Sequence, residues 1–441
     1  MKKRTKTFSL VLVACSSFSL QATAQFTFSG QVRTRTEVRD GQGAPLPIGA
    51  KPAFFTSQRT RFSFGYNAYR LKFGVTAQDV RVWGQDVSTI NRTTTQDLNG
   101  VMLHEAWAEW QLTDTLVKNK ALRLKIGRQE LVYDDQRLLG NLDWLQQGRR
   151  HDAALLKYEA GSYLLHLGAA FNQNREQQSG AFYNNTPPGS YPATTNGGSM
   201  YKSMVFLYAG KKMQKGSASF LFLNDVFSSY RTDPVTAAKS FDSSTWSRAT
   251  SGVYFANIFN KVSITASAYY QFGHNAAGQK VSAELLSLAG LYAFSKKFSA
   301  GPGLDYYSGG TGRAFDPLYG TPHKFGGLMD YFYVASSFGR NGLVDYFIRG
   351  KYKASEKVAI TADVHQFGSA AHVSGFSTKN LGQEIDLVGH YSLTRQLGIE
   401  AGYGRYFTTP LLASLKNVSN AKPGANWAYL MMNATPDFLF K

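Results

Sequence analysis

Val262 to Phe272 reads VSITASAYYQF. Val262, Ile264, Ala266, Ala268, Tyr270 and Phe272 share one face, and Ser263, Thr265, Ser267, Tyr269 and Gln271 share the other. Side chains alternate across a strand with a period of two, so this segment offers one face to an apolar medium and the other to water. Its length matches the roughly 9 to 11 residues with which a tilted strand crosses a bilayer. The same alternation runs from Phe26 to Val38, where Phe26, Phe28 and Val32 oppose Gln31, Arg33, Arg35 and Glu37. It recurs over Tyr69 to Val75 and Val358 to Val364.

The connections between such segments alternate in length. Short ones read at Asn67-Ala68, Glu159 to Ser162, Lys211 to Lys215, Asn260-Lys261, Ser295 to Lys297, Ser355-Glu356 and Thr394-Arg395. Long ones read at Asp40 to Phe54, Gly84 to Gly100, Asp134 to Gly148, Asn172 to Ser199, Ser228 to Thr245, Ser308 to Asn341, Gly368 to Asn380 and Thr408 to Ala425. In a bacterial barrel short turns face the periplasm and long loops face outside. Counting Leu328 to Phe338 as a strand would make the total odd, so Ser308 to Asn341 is assigned to one loop, long enough to fold into the lumen as a constriction. The reading is all-β: a transmembrane antiparallel barrel of about 18 strands, since such barrels have even strand numbers.

Composition agrees. Tyr (25), Phe (31) and Gly (42) are abundant while charged residues are 17%, and a mean hydropathy of -0.27 with no downstream run of spanning length excludes transmembrane helices after the N-terminus. A β-sandwich or β-helix would carry fewer aromatics at strand ends, and no solenoid-length repeat is present. Met1, Lys2, Lys3, Arg4, Thr5 and Lys6, an apolar run from Phe8 to Leu20 and Ala22-Thr23-Ala24 read as a secretory leader over 1–24, leaving 25–441 as the barrel. Leu12-Val13-Ala14-Cys15 is the competing lipoprotein processing site. The sole cysteine falls in the leader, so disulfides do not hold the rest. No plug-like segment precedes the strand at Phe26, which disfavours a TonB-dependent receptor.

The formal charge of +19 falls to +15 without the leader's four cations. Export makes nucleic acid an improbable partner, leaving an anionic membrane surface or an anionic solute. By face, Arg33, Arg35, Arg59, Arg61, Arg70, Lys72, Arg123 and Lys125 line the lumen of the early strands, and Arg349 and Lys351 share the late wall with Asp363, Glu384, Asp386 and Glu400. An arginine facing lipid at the midplane costs about 2 to 4 kcal/mol, which compels the inward assignment for most of these. The functional reading is a ladder of weak sites for carboxylates. The bland one is a polar wall braced by paired charges.

Two further stretches carry a resemblance. GRQELVYDDQRLLGNLDWLQQGRRHDAALLKY, Gly127 to Tyr158, and GLDYYSGGTGRAFDPLYGTPHKFGGLMDYFYVASSFGRNGLVDYF, Gly303 to Phe347, resemble, in the same order, the two recurring segments of the alginate-export family of outer-membrane barrels. The resemblance implies 18 strands and passive movement of alginate or a similar acidic polysaccharide. It picks out Gly127, Arg128, Gln129, Arg137, Trp144 and Asp152, then Asp305, Phe315, Asp316, Pro317, His323, Gly327 and Asp330. It implies that Arg128, Arg137, Arg149 and Asp152 serve a lumen constriction and that Asp316, His323 and Asp330 serve a closing loop. The expected surroundings are outer-membrane lipid, an anionic solute and a monomeric chain without cofactor or metal, with a periplasmic export partner left open.

Rival readings are a porin for uptake of small anions or oligosaccharides, an outer-membrane hydrolase, and an adhesin using Asn172 to Ser199. The enzyme-like hints are weak. His151-Asp152 and His104-Glu105 are adjacent, so on a regular strand each pair points to opposite faces. No G-x-S-x-G is present, and Gly309-Gly310-Thr311-Gly312 lacks the lysine and helix of a phosphate cradle. His323 reads more readily as a satisfied loop histidine than as a metal ligand. Tyr331, Phe332 and Tyr333 could stack on sugar rings, though packing a loop against the wall serves them as well.

Overall fold

The computed structural model describes residues 25–41, 43–84, 100–186, 199–332 and 340–438. The expected leader over 1–24 lies outside the described residues, as does Tyr333. Eighteen long strands follow one another: β1 (Gln25–Arg39), β2 (Ala53–Ala68), β3 (Leu71–Val82), β4 (Met102–Gln111), β5 (Lys120–Gln129), β6 (His151–Ala160), β7 (Tyr163–Phe171), β8 (Ser203–Met213), β9 (Gly216–Thr232), β10 (Lys239–Phe259), β11 (Val262–His274), β12 (Lys280–Ala293), β13 (Phe298–Tyr307), β14 (Leu343–Lys353), β15 (Val358–Gly368), β16 (Asn380–Ser392), β17 (Leu397–Thr408) and β18 (Gly424–Ala434). Each pairs antiparallel with the next, and β1 pairs with β18 from Val32↔Ala434 to Arg39↔Trp427, closing the barrel. Closure leaves no edge strand, the condition for putting a sheet into lipid. After a break at Thr435-Pro436, where proline lacks the amide proton a ladder needs, Asp437–Phe438 rejoins β1 opposite Ser29 and Phe28.

The alternation holds. On β11, Ser267, Tyr269 and Gln271 are buried while Tyr270 and Phe272 are exposed. Phe62, Phe64, Leu286, Leu288, Val364, Leu387 and Leu430 repeat that outward exposure around the barrel. In water such a belt would forfeit about 25 cal/mol for each Å² of apolar surface left uncovered, so it marks the lipid face.

Several boundaries differ from the sequence reading. The first turn is Tyr69-Arg70, not Asn67-Ala68, with Arg70 in the left-handed region at φ 61° and its side chain bonded to the carbonyls of Gln111 and Leu112. Arg70 therefore braces a periplasmic turn and does not line the pore. Ser228 to Thr245 is mostly paired strand: β9 and β10 run on to Thr232↔Lys239. Outside the membrane both faces are wet, so that extension lacks the apolar alternation that reveals a strand. The β4–β5 turn and the β11–β12 connection lie outside the expected set, although Asp114, Asn119, Asn275 and Gly278 are turn residues. Thr408 to Ala425 holds a short helix, α1 (Pro410–Leu415), capped by Thr409, whose hydroxyl accepts from the Leu412 amide at 3.2 Å. Of Leu328 to Phe338, the stretch Leu328 to Phe332 forms no strand and 333–338 lies outside the described residues.

Candidate functional site

The inner wall has three sectors. The first is basic. Strand β1 turns Arg33, Arg35 and Arg39 inward beside Glu37, and β2 adds Arg59 and Arg61. Toward the periplasmic turns, Lys72, Arg123, Lys125 and Lys157 gather around Glu109 and Glu159: Lys157 pairs with Glu109, Arg123 with Glu159 at 2.9 Å, and the Lys125 ammonium lies 3.8 Å from the Trp107 ring centroid. The second sector, β6 to β12, turns apolar side chains inward, among them Leu155, Phe206, Leu221, Leu223 and Leu285. The third, β13 to β16, is acidic: Asp305, Asp345, Asp363, Glu384 and Asp386 are all buried. There Arg349 grips Asp363 at 2.6 Å and His365 contacts Asp345 at 2.9 Å, while Lys351 stays exposed.

The apolar sector is buried because two loops fold inward over it. The loop from Glu130 to Arg150 reaches Tyr208 and Ser219 on β8 and β9 through Asp134 at 2.9 and 2.8 Å. It reaches β13 through Arg137, which contacts Asp305 at 3.0 Å, donates to the Tyr307 hydroxyl at 2.8 Å and lies 3.9 Å from the Phe325 ring centroid. It reaches β1 and β2 through Asp143, whose carboxylate lies 3.2 Å from Arg33, 2.9 Å from Arg59 and 3.7 Å from Arg61. Strands β1 and β9 sit across the ring from each other, so this loop spans the lumen. Its charges are placed against the wall's: its carboxylate meets the basic sector and its guanidinium meets the acidic one. Burial alone would raise the Asp143 carboxyl pKa, but Arg59, Arg33 and Arg61 outweigh it and hold the group below its ordinary range. Burial raises Asp134, and the hydroxyls of Ser219 and Tyr208 only partly offset it.

The second loop, Ser308 to Asn341, pairs with the first through a parallel bridge at Leu139↔Tyr319, with Tyr319 donating its amide to Leu138 at 3.0 Å. Asp316 and Asp225 share Arg248, at 2.5 and 2.6 Å, and the Tyr319 hydroxyl donates to Asp225 at 2.8 Å. The amides of Leu328 and Met329 donate to Asp386 and Glu384 at 3.2 and 2.8 Å. Gly327 has φ 82°, and a Cβ there would lie 2.4 Å from Glu384 Oε2, so only glycine admits this approach. Trp144 ties the loops together: its ring stacks on His323 at 4.0 Å with the Arg35 guanidinium 4.1 Å from its centroid.

The anticipated residues divide accordingly. Arg33, Arg35, Arg59, Arg61, Lys72, Lys125, Arg349 and Lys351 lie on inner faces, and Arg137, Arg149, Asp316, His323 and Asp330 belong to the inward loops. Arg33, Arg35 and Arg59 are, however, buried beneath the first loop and do not stand open to solute. Arg149 is buried and donates to the Gly320 carbonyl. His323 contacts Asp330 at 2.9 Å and packs as a loop histidine. Arg128 and Asp152 need correction: they form a bidentate pair at 2.8 Å in register across β5 and β6 on the face of Ile126 and Leu124, which is the lipid side. Near the loop end of the strand such a pair costs about 0 to 1 kcal/mol. His104-Glu105 also departs from expectation. The register shifts by one residue there, so that His104 is fully buried 2.8 Å from Glu130 while Glu105 lies opposite Thr76 and accepts from the Glu130 amide. Asp143, Glu37, Asp225 and Arg248 were not anticipated as site residues.

A closed barrel with inward loops and a polar lumen has the build of a channel for solutes. Residues 24–183 match the alginate export family. No curated protein matches the sequence. Among solved structures, the barrel resembles Acinetobacter baumannii OccAB1 at 13% identity and TM-score 0.62, covering 95% of this chain and 100% of that one. It resembles Pseudomonas aeruginosa OpdK, solved with vanillate, at 10% identity and TM-score 0.60, over 94% and 99%. Pseudomonas aeruginosa OccK11 follows at 12% and 0.57, over 94% and 96%. At these identities the likeness is one of fold. With the lipid-facing belt and the family match, it puts this barrel in the bacterial outer membrane.

Proposed function

We propose that this porin passes an anionic solute, an acidic polysaccharide such as alginate, by passive diffusion past its basic wall, without catalysing a reaction. One observation carries the reading. Around the constriction five guanidinium groups, Arg33, Arg35, Arg39, Arg59 and Arg61, meet three carboxylates, Glu37, Glu130 and Asp143. That local excess of positive charge continues through Lys72, Arg123, Lys125 and Lys157 toward the periplasmic mouth, so a polyanion from that side meets weak sites in series. The family match supports alginate and outward movement. Residues 1–24 act as the cleaved leader and the mature barrel works as a monomer.

A second reading, uptake of small carboxylates, draws on the two loops that narrow the lumen and on the fold neighbour solved with vanillate, itself a carboxylate. Liposome swelling tests the charge claim that both readings share. Proteoliposomes swell faster in a uronate than in a neutral sugar of equal size under the proposal. Equal or reversed rates contradict it. Retained permeability to oligomers favours the polysaccharide over the small anion.

A further inference from the structure

We propose that Arg33, Arg59 and Arg61 form a carboxylate-binding subsite in which Asp143 is a resident competitor, occupying the position a solute carboxylate takes during passage. The inference rests on the anionic-solute reading above and names the group that sets affinity within it. The Asp143 side chain is 48% exposed, whereas those of Arg33 and Arg59 are 5% and 1% exposed and that of Arg61 is 14%. An anion in the lumen therefore touches the carboxylate first and gains the guanidiniums only by replacing it. Replacement requires rotation of one half-exposed side chain and no movement of the loop. Arg33 still donates to Gln146 at 3.0 Å, Gln146 to Ser57 at 2.9 Å and Arg35 to the Trp144 carbonyl at 2.8 Å, while Arg137 keeps the far side docked on Asp305.

Exchange of one carboxylate for another also keeps the arginines neutralised throughout. Leaving buried guanidiniums short of a counter-charge is unfavourable, so exchange avoids an uncompensated intermediate. Asp143 offers two acceptor oxygens to three guanidiniums, the same acceptor geometry a uronate carboxylate presents. A tethered competitor acts at an effective concentration in the millimolar range, which holds the subsite weak. A strand of sugar acids can then step past a site that would otherwise retain it.

The test is block of single-channel current in planar bilayers by trimeric mannuronate, with a neutral trisaccharide as control. Asp143→Asn removes the competitor and is expected to tighten uronate block about tenfold, while the neutral sugar's effect stays the same and Asp143→Glu behaves as the parent does. Folding of each variant is followed by heat-modifiable gel migration, and Asp143→Ser serves if Asp143→Asn fails to fold. An unchanged block constant in the neutral variants of an anion-selective channel overturns the competitor and leaves the anion reading standing. A parent channel that prefers cations and ignores uronate removes both. Tightening for the neutral sugar as well would indicate a steric effect and also overturn the proposal.

Discussion

Two of the charged ties that hold the first inward loop to the wall differ in wetness. At β13 the tie is dry: Arg137 and Asp305 are 6% and 4% exposed, and Asp135, Tyr307, Ser287 and Phe325 also surround the guanidinium. At β1 and β2 the arginines are dry but their loop partner Asp143 is half in the lumen. A dry pair resists separation because each charge left alone lacks solvent, whereas a wet carboxylate exchanges with other anions at little cost. The same lumen thus holds a structural anchor and an adjustable contact on a single loop.

Breaking the dry tie has the largest effect. Arg137→Ala leaves Asp305 buried without its cation, a loss of about 3 to 5 kcal/mol in loop docking. The variant is expected to conduct more current and to be cut by protease between Glu130 and Arg150, with the barrel's heat-modifiable migration kept. Breaking the wet tie does less. Asp143→Asn keeps the hydrogen bonds around Gln146 and costs about 1 to 2 kcal/mol in docking, with permeability shifting further toward anions in reversal-potential measurements.

Acid separates two of the loop's three aspartates, Asp143 and Asp134, by sign. Asp143 is held below its ordinary range, so its contribution is present above the unfolded carboxyl pKa of about 4 and is lost only as pH falls through the lower folded value. Asp134 is raised by burial, so the folded state takes up a proton there first. Its contact with β8 and β9 strengthens as pH falls through the raised value and weakens as pH rises through it. Protease protection of the loop against pH checks this: acidification toward the raised Asp134 value increases protection, and Asp134→Asn abolishes the increase. The smallest effect belongs to Arg128→Ala. The Arg128 and Asp152 side chains are 39% and 53% exposed on the outer face, so conductance and selectivity stay unchanged and thermal stability in detergent moves by less than about 1 kcal/mol.

The barrel was legible because lipid and water impose opposite demands on alternate residues, and strand parity followed from closure. The face of Arg128 was legible too. Arg123 and Lys125 face inward, so on a regular strand the residue three places after Lys125 faces outward, and the resemblance that put Arg128 in the pore overrode this. Asp143 was not legible: it sits in a loop with no period, and its partners on β1 and β2 lie far away in sequence. His104 escaped because one extra residue on β4 defeats a period-two reading. The β9–β10 extension escaped because a hairpin wet on both faces has no apolar stripe.

The most direct measurement is the reversal potential of the refolded channel under a salt gradient, repeated with Lys72, Lys125 and Lys157 changed together to Gln. The account predicts anion-preferring current whose preference falls by several-fold in the triple variant, as expected for a lumen whose selectivity comes from rings of charge. A cation-preferring channel, or one whose preference ignores these lysines, would contradict it.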